Sequence, residues 1–276
     1  MQPTREEIVA FLAEDVGSGD LTANIIPAAT QATATVITRE NTVLCGQAWF
    51  DAVFWQLSSD VAIEWLCGEG EAVAAGSLLC RLSGPARALL TGERTALNLL
   101  QTLSATASVA RRYADAVAGT GCKVLDTRKT LPGLRLAQKY AVKCGGCFNH
   151  RIGLFDAILI KENHIIAAGS IAEAVKAARL YGEVSVEVEV ENLDEFRQAL
   201  AAKPDRIMLD NFSIADTVSA IQLNGGAVEL EASGNITLEN IRSVAETGVD
   251  YISIGALTKN LAAVDLSMRI ELRPAA

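Results

Sequence analysis

Leu125-Asp126-Thr127-Arg128-Lys129-Thr130-Leu131-Pro132-Gly133-Leu134-Arg135 sets three cations and two hydroxyls into a turn-prone segment. It follows a short apolar run, Lys123 to Leu125, and is closed by a Pro-Gly pair, so it reads as a strand end, a basic loop and a helix start. An isolated Arg-Lys pair is ordinarily a solvated surface turn. The alternative is an anion pocket, in which forked guanidinium groups grip carboxylate or phosphate and lysine supplies a point charge. The segments on either side decide between the two.

After Gly119 short β-rich runs alternate with helical patterns: Cys122 to Leu125, Ala157 to Ile160, Val184 to Val190, Arg206 to Leu209, Val228 to Leu230 and Tyr251 to Ile254. Amphipathic segments lie between them, among them Ile171 to Leu180, Leu193 to Ala201, Ile214 to Leu223 and Leu238 to Glu246. Repeated βα units predict an α/β fold with a parallel sheet, closed as a barrel or near-barrel smaller than the usual eightfold one. The strands' carboxyl ends are basic, acidic or glycine-rich: Asp126-Thr127-Arg128-Lys129, Lys161-Glu162-Asn163-His164, Glu189 with Glu191, Asp210-Asn211, Glu231-Ala232-Ser233-Gly234-Asn235, and Gly255-Ala256. A barrel gathers those ends on one face, where barrel enzymes assemble their sites.

The first part of the chain has another rhythm. A helix over residues 5 to 15, an alternating strand from Ala32 to Thr38, a helix around Ala48 to Leu57 and strands at Val61 to Leu66 and Leu78 to Leu82 predict an α+β module. A long helix follows from Ala88 to about Ala118, with Leu97, Leu100, Leu103, Ala107 and Ala110 on a buried stripe and Arg94 and Asn98 on a polar face. The predicted domains are residues 1–118 and 119–276, with the C-terminal segment packing back on the first domain.

With 276 residues, half of them apolar, the chain can bury a sizeable core. A net charge of -9 argues against nucleic-acid or membrane-surface binding, so the basic loop is directed at a ligand. Acidic residues and the lack of a continuous apolar core in Met1 to Glu14 exclude a signal or transit peptide, and no run reaches membrane-spanning length. A cytoplasmic location follows as an expectation. Six irregularly spaced cysteines fit reduced thiols, and Cys144-x-x-Cys147 lacks the second pair that a zinc site needs.

Arg128, Lys129 and Lys161, joined by His150 and Arg151 from the Gly145 to Arg151 loop, would repel one another unless they served a polyanion. Glu189 and Asp210 would bind ribose hydroxyls or Mg²⁺, or stabilise developing positive charge. The turns at Ser233-Gly234-Asn235-Ile236-Thr237 and Gly255-Ala256-Leu257-Thr258, each before a helical segment, suit a phosphate. No Walker loop, serine triad arrangement or H-E-x-x-H is present, and the chain has two histidines. The substrates therefore read as a highly phosphorylated sugar and an organic acid.

These segments, together with Glu14-Asp15-Val16-Gly17-Ser18-Gly19-Asp20, Gly92-Glu93-Arg94-Thr95-Ala96-Leu97-Asn98, Val186-Glu187-Val188-Glu189-Val190, Leu209-Asp210-Asn211-Phe212 and Gly248-Val249-Asp250-Tyr251-Ile252-Ser253, closely resemble the quinolinate phosphoribosyltransferase family, nearly end to end. The resemblance implies an N-terminal α/β sandwich and an open α/β barrel. It implies that quinolinate and phosphoribosyl pyrophosphate give nicotinate mononucleotide, pyrophosphate and CO2 in NAD biosynthesis, with Mg²⁺ as cofactor on unassigned ligands. Arg128, His150, Arg151 and Lys161 would hold the acid's carboxylates with Thr127 beside them, and Lys129 would lie at the seam with pyrophosphate. Glu189 and Asp210 would face the ribose, so that Lys129, Glu189 and Asp210 are the catalytic candidates. Ser233, Gly234, Asn235 and Gly255 would cradle the 5-phosphate, and Arg94 would enter the site of a second subunit, making a homodimer, or a higher oligomer built from it, the working unit. A paralogue acting on another acid would disturb the basic set, and a silent metabolite binder would have no use for Glu189 and Asp210. Cys147 stands where the family usually has a third glycine, which restricts the backbone there.

Overall fold

The computed structural model describes residues 1–273, with side chains through Leu272. The chain forms two compact units, one from Met1–Val109 and the segment beginning at Leu261, the other from Ala110–Asn260. The sequence-based boundary at 118/119 marks the end of the long helix, whereas the units part within it.

In the first unit, helix α1 (Arg5–Val16) begins at a capping box in which Thr4 Oγ1 accepts the Glu7 N–H and the Glu7 carboxylate accepts the Thr4 N–H. Strand β1 (Gln31–Thr38) alternates buried and less buried residues, as its sequence pattern predicts. A short strand β2 (Thr42–Val43), helix α2 (Gln47–Leu57), β3 (Ala62–Trp65), β4 (Ala72–Val73) and β5 (Leu78–Pro85) follow. The main sheet is antiparallel, ordered last strand (Leu266–Arg273), β1, β5, β3, while β2 and β4 form a separate ribbon. Helix α3 (Ala86–Ala116) leaves β5 directly and buries Leu97, Leu100, Leu103, Ala107 and Ala110, leaving Arg94 and Asn98 exposed. The last strand and the β2–β4 ribbon escaped the sequence reading, the ribbon because two residues cannot show a period.

In the second unit the parallel strands are β6 (Lys123–Leu125), β7 (Ile158–Ile160), β8 (Val186–Val190), β9 (Arg206–Asp210), β10 (Glu229–Ser233) and β11 (Tyr251–Ser253). They stand in the order β6-β11-β10-β9-β8-β7, a six-stranded sheet in which β6 and β7 are the edges. Phe148 extends the β6 edge through an isolated parallel bridge with Leu125. Helices α4 (Arg135–Cys144), α5 (Glu162–Ala168), α6 (Ile171–Ala178), α7 (Leu193–Ala202), α8 (Ile214–Asn224), α9 (Ile241–Ala245) and α10 (Ala256–Lys259) occupy the connections. Ser170, Asn192 and Ser213 cap α6, α7 and α8 with their side chains, satisfying first-turn N–H groups. Helix α9 starts at Ile241, not at Leu238, so the Ser233 to Thr237 turn runs through a further turn before any helix.

The two-residue strand period sorts the side chains. Val186, Val188 and Val190, Ile207 and Leu209, Leu230 and Ala232, and Ile252 are buried on one face. Glu187 and Glu189, Arg206, Met208 and Asp210, Glu231 and Ser233, and Ser253 alternate with them and take the other. The opposite face of this sheet is thus polar, and it is the face on which the candidate site lies.

Below the loop after β6, Lys139 Nζ reaches Asp126 Oδ1 at 2.5 Å with the two side chains 3% and 0% exposed. Burial pushes the Asp126 carboxyl up, and the Lys139 charge opposes that shift. Removing one partner strands the other charge in a dry site. Lys139→Met is expected to lower the unfolding free energy by about 3–5 kcal/mol in urea denaturation, while Lys→Met substitution at exposed Lys176 changes it little.

Candidate active site

Thr127, Arg128, Lys129, His150, Arg151, Lys161, Glu189, Asp210 and Ser233 line one cavity of about 290 Å³, together with Leu159, Met208 and Ser253. Nine residues singled out from sequence are therefore brought together. The basic loop is held from both sides. Gln138 of α4 accepts the Leu131 N–H at 2.8 Å and donates to Thr258 O at 2.9 Å, and Thr258 Oγ1 donates to Lys129 O at 2.8 Å. Arg135 donates to Thr130 Oγ1 and Ile152 O, so this third cation of the loop shapes it and does not line the cavity.

Asp126 fixes the opposite wall. Its Oδ1 accepts the His150 N–H at 2.9 Å, its Oδ2 accepts from Asn149 Nδ2 at 2.6 Å, and Lys139 donates to His150 O at 3.0 Å. One buried carboxylate thus ties the end of β6, α4 and the Asn149-His150-Arg151 loop. Arg128 Nε is a buried donor without a partner among the described residues, as befits a guanidinium held for an anion. Burial, reinforced by the Arg128 charge, holds Arg151 below the ordinary guanidinium range. Lys161 and Glu189, at neighbouring strand ends, form an ion pair.

His150 differs from the sequence-based expectation of a direct carboxylate ligand. Its Nδ1 accepts the Arg151 N–H at 2.8 Å, and its Nε2 faces Glu187 Oε2 at 2.9 Å and Glu231 Oε2 at 3.4 Å. Both ring nitrogens are engaged inside the protein. Arg206 donates to Glu231 at 3.1 Å and lies 3.9 Å from the Tyr251 ring centroid. With two carboxylates and one guanidinium, this floor is short of one positive charge unless it holds a proton. Burial opposes charge on His150, but hydrogen bonds to Glu187 and Glu231 outweigh it and push the ring up to about 9. Burial raises Glu187, while the His150 and Ser253 hydrogen bonds and the Arg206 charge, against burial, hold Glu231 low. A second proton on the ring displaces the Arg151 N–H from Nδ1, so proton uptake and the Arg151 backbone compete for that atom.

Gly234 and Asn235 lie in a neighbouring cavity of about 430 Å³ that shares Ser233 with the first. A side chain at Gly255 would press on the Lys129 methylenes, 3.0 Å from an added Cβ, so glycine there lets the two strand ends approach. Arg94 belongs to the first unit, exposed on α3, and is not one of the residues lining either cavity.

A family profile described as the quinolinate phosphoribosyl transferase C-terminal domain matches residues 106–269, and one for its N-terminal domain matches residues 20–104. The chain belongs to the quinolinate phosphoribosyltransferase family. Among relatives, the probable nicotinate-nucleotide pyrophosphorylase [carboxylating] of Synechocystis is 42% identical over 94% of this chain and 90% of its own length. The Mycobacterium leprae nicotinate-nucleotide pyrophosphorylase [carboxylating] is 40% identical over 96% of each. The solved structure of the Francisella tularensis nicotinate-nucleotide pyrophosphorylase superposes with a TM-score of 0.94, at 48% identity and 98% coverage of both chains.

Within this quinolinate phosphoribosyltransferase chain, the residue that departs from the family's glycine loop is accommodated. Gly146 takes the left-handed conformation at φ 94, whereas Cys147 is not among the residues with positive φ. The Cys147 thiol is 4% exposed, donates to Ala110 O at 3.1 Å, and is pushed up to about 12 by burial. It is a packed side chain and a poor nucleophile or metal ligand. Lys139, Glu187 and Arg206 were not foreseen as shaping the site, and Asp126 and Glu231 were read only as part of the strand ends, Asp126 as shaping the turn. The signal for three of them was legible as alternation, since Val-Glu-Val-Glu-Val, Arg-Ile-Met-Leu-Asp and Glu-Leu-Glu-Ala-Ser are unusual in strands covered on both faces.

His150 is raised in the folded state, so its contribution to stability is fully present below its ordinary value of 6.5 and lost as pH rises through about 9. Urea unfolding of the wild type at a series of pH values is expected to show stability falling across that window, with a flatter profile in His150→Asn.

Proposed function

We infer that this chain carries out its family's reaction: it joins the ring nitrogen of quinolinate to C1 of phosphoribosyl pyrophosphate, expels pyrophosphate and releases CO2, giving nicotinate mononucleotide in NAD biosynthesis. The observation that carries this reading is the gathering of the cations Arg128, Lys129, Arg151 and Lys161 and the carboxylates Glu189 and Asp210 in one small cavity. A dicarboxylate needs the cations. A sugar carbon that develops positive charge needs the carboxylates.

In this reading Arg128 and Arg151 grip the acid's carboxylates in forked geometry, with Lys161 as a further charge and Thr127 beside them. His150 lines the cavity beside the acid and, as the residue before Arg151, helps to place that side chain. As the bond from C1 to pyrophosphate lengthens, Glu189 and Asp210 stabilise the oxocarbenium character of the ribose, and Lys129 stabilises the departing oxygen. The ring nitrogen then bonds C1. Loss of CO2 leaves an electron pair on the adjacent ring carbon, stabilised by the quaternised nitrogen and nearby cations, and that carbon takes up a proton. Ser233, Gly234, Asn235 and Gly255 hold the 5-phosphate.

Glu189 and Asp210 present hard oxygen donors to the cavity, the type that suits Mg²⁺, and are the residues that would hold it. When bound with phosphoribosyl pyrophosphate, the ion supplies charge neutralisation of the leaving group. Arg94 is exposed on α3 and available to a second copy of the chain, which supports a homodimer with shared sites. No helix among the described residues is long and apolar enough to cross a membrane. We place the working enzyme in the cytoplasm.

Purified protein with quinolinate, phosphoribosyl pyrophosphate and Mg²⁺ is expected to release CO2 and pyrophosphate in equal amounts; release of neither overturns the assignment. Arg128→Ala should weaken quinolinate binding about 30-fold or more, the equivalent of about 2 kcal/mol for a lost charge-assisted pair, and an unchanged Kd contradicts its role. Mixing Arg94→Ala with Arg128→Ala subunits, each inactive alone, should restore about a quarter of wild-type activity in randomly formed dimers. Heterodimers that stay inactive argue for sites built within one chain.

A further inference from the structure

The carboxyl ends of β9 and β10 are joined by side chains as well as by the sheet. Asn211 Nδ2 donates to Asp210 Oδ2 at 2.9 Å, and Asn211 Oδ1 accepts from Asn235 Nδ2 at 2.9 Å. The direction of this relay is fixed by its end. Asp210 as a carboxylate only accepts, so Asn211 turns its NH2 toward Asp210 and its carbonyl toward Asn235, which in turn presents its own NH2. The main chain repeats the link, since the Asn211 N–H donates to Ser233 O at 2.9 Å.

Backbone geometry is bent to serve this arrangement. Asn211 and Asn235 sit at φ 57 and φ 52, left-handed values that side chains other than glycine rarely take, and Gly234 between the strand end and Asn235 sits at φ 89. A Cβ at Gly234 would collide with the Asn211 carboxamide. The far side of the loop is braced too: Asn240 Nδ2 donates to Asn235 O at 3.2 Å, and its Oδ1 accepts the Thr237 N–H at 2.8 Å. Asn211 and Ser233 lie along the same neighbouring cavity as Gly234 and Asn235, while Asp210 and Ser233 line the first. The relay therefore spans the seam between the two cavities.

We propose that Asn211 is a positioning residue that couples the loop Ser233-Gly234-Asn235 to the Asp210 carboxylate, so that seating a phosphate in the loop sets the acid that faces the ribose. This deepens the function inferred above and rests on it. Asn211 touches neither transferred atoms nor the leaving group; it acts through Asp210. The coupling gives a sugar phosphate an advantage over phosphate alone, because only a ligand with both parts uses both ends of the relay.

The bland account is that asparagine stands at 211 because it tolerates a left-handed backbone. Asn211→Gly separates the two, since glycine adopts that backbone freely and lacks the carboxamide. With the full-length protein, kcat is expected to fall at least about tenfold through loss of positioning, with the KM for quinolinate within about twofold of wild type. In calorimetric titrations with ribose 5-phosphate and with inorganic phosphate, wild type should bind the sugar phosphate more tightly, and Asn211→Gly should lose that margin while binding inorganic phosphate unchanged. Asn211→Asp, which tolerates the same left-handed backbone but as a carboxylate cannot donate to Asp210, should also lose kcat and the ribose 5-phosphate margin if Asn211→Gly folds poorly. Wild-type kcat and an intact ribose 5-phosphate margin in a folded glycine variant overturn the proposal. Wild-type protein that turns over no quinolinate sinks the parent reading instead, and the two-ligand comparison still reads the relay.

Discussion

The Asp126–Lys139 pair is the constraint on which the site's geometry rests. Both charges are buried, and neither can be hydrated where it lies. The carboxylate is kept in place by three donors from two segments: the ammonium of Lys139 on α4, and the Asn149 carboxamide and His150 N–H of the following loop. Each donor belongs to a segment that would otherwise be free to settle on its own terms. Because an unpaired buried charge is so unfavourable, the segments have one low-energy arrangement, and Arg128 and Arg151 are delivered to the same cavity as a result. Polar burial here serves definition of shape more than net stability.

Strand alternation accounts for the rest of the chemistry. A parallel sheet with apolar residues on both faces would fill its interior with side chains and leave function to the loops. In this unit one parity is apolar and the other carries acids, an arginine and serines, so charge extends from the strand ends down into the interior. The floor of Glu187, Glu231, Arg206 and His150 has its own internal pairing and does not compete with the mouth for anions. Arg128, Lys129 and Arg151 are correspondingly available, whereas Lys161 is paired with Glu189.

How far the sequence was legible follows from the range of each interaction. The βα rhythm after Gly119, the long helix and the polar strand ends are local patterns, and the structure has them within a few residues of their expected bounds. The cavity residues were legible because a parallel barrel turns strand ends into neighbours. What stayed hidden depends on contacts between distant segments. The roles of Lys139 and of the second asparagine at Asn235 require knowing what lies across from them, and His150 read as a substrate cation because nothing local reveals that Glu187 and Glu231 meet its Nε2. The last strand was missed for a related reason: Leu266–Arg273 mixes charge with apolar residues, and its partner is β1, more than two hundred residues earlier.

That pairing has a consequence for synthesis. The second unit is contiguous, and all of its strands have been made by the time Asn260 leaves the ribosome. The first unit's sheet cannot be finished then, because β1 lacks its outer neighbour until Leu266–Arg273 emerges. During that interval β1 carries a row of unbonded amides and carbonyls, the usual template for unwanted strand addition. The part of the molecule made first is the part completed last, and a chain shortened before that strand would leave the ribosome with a permanently open edge.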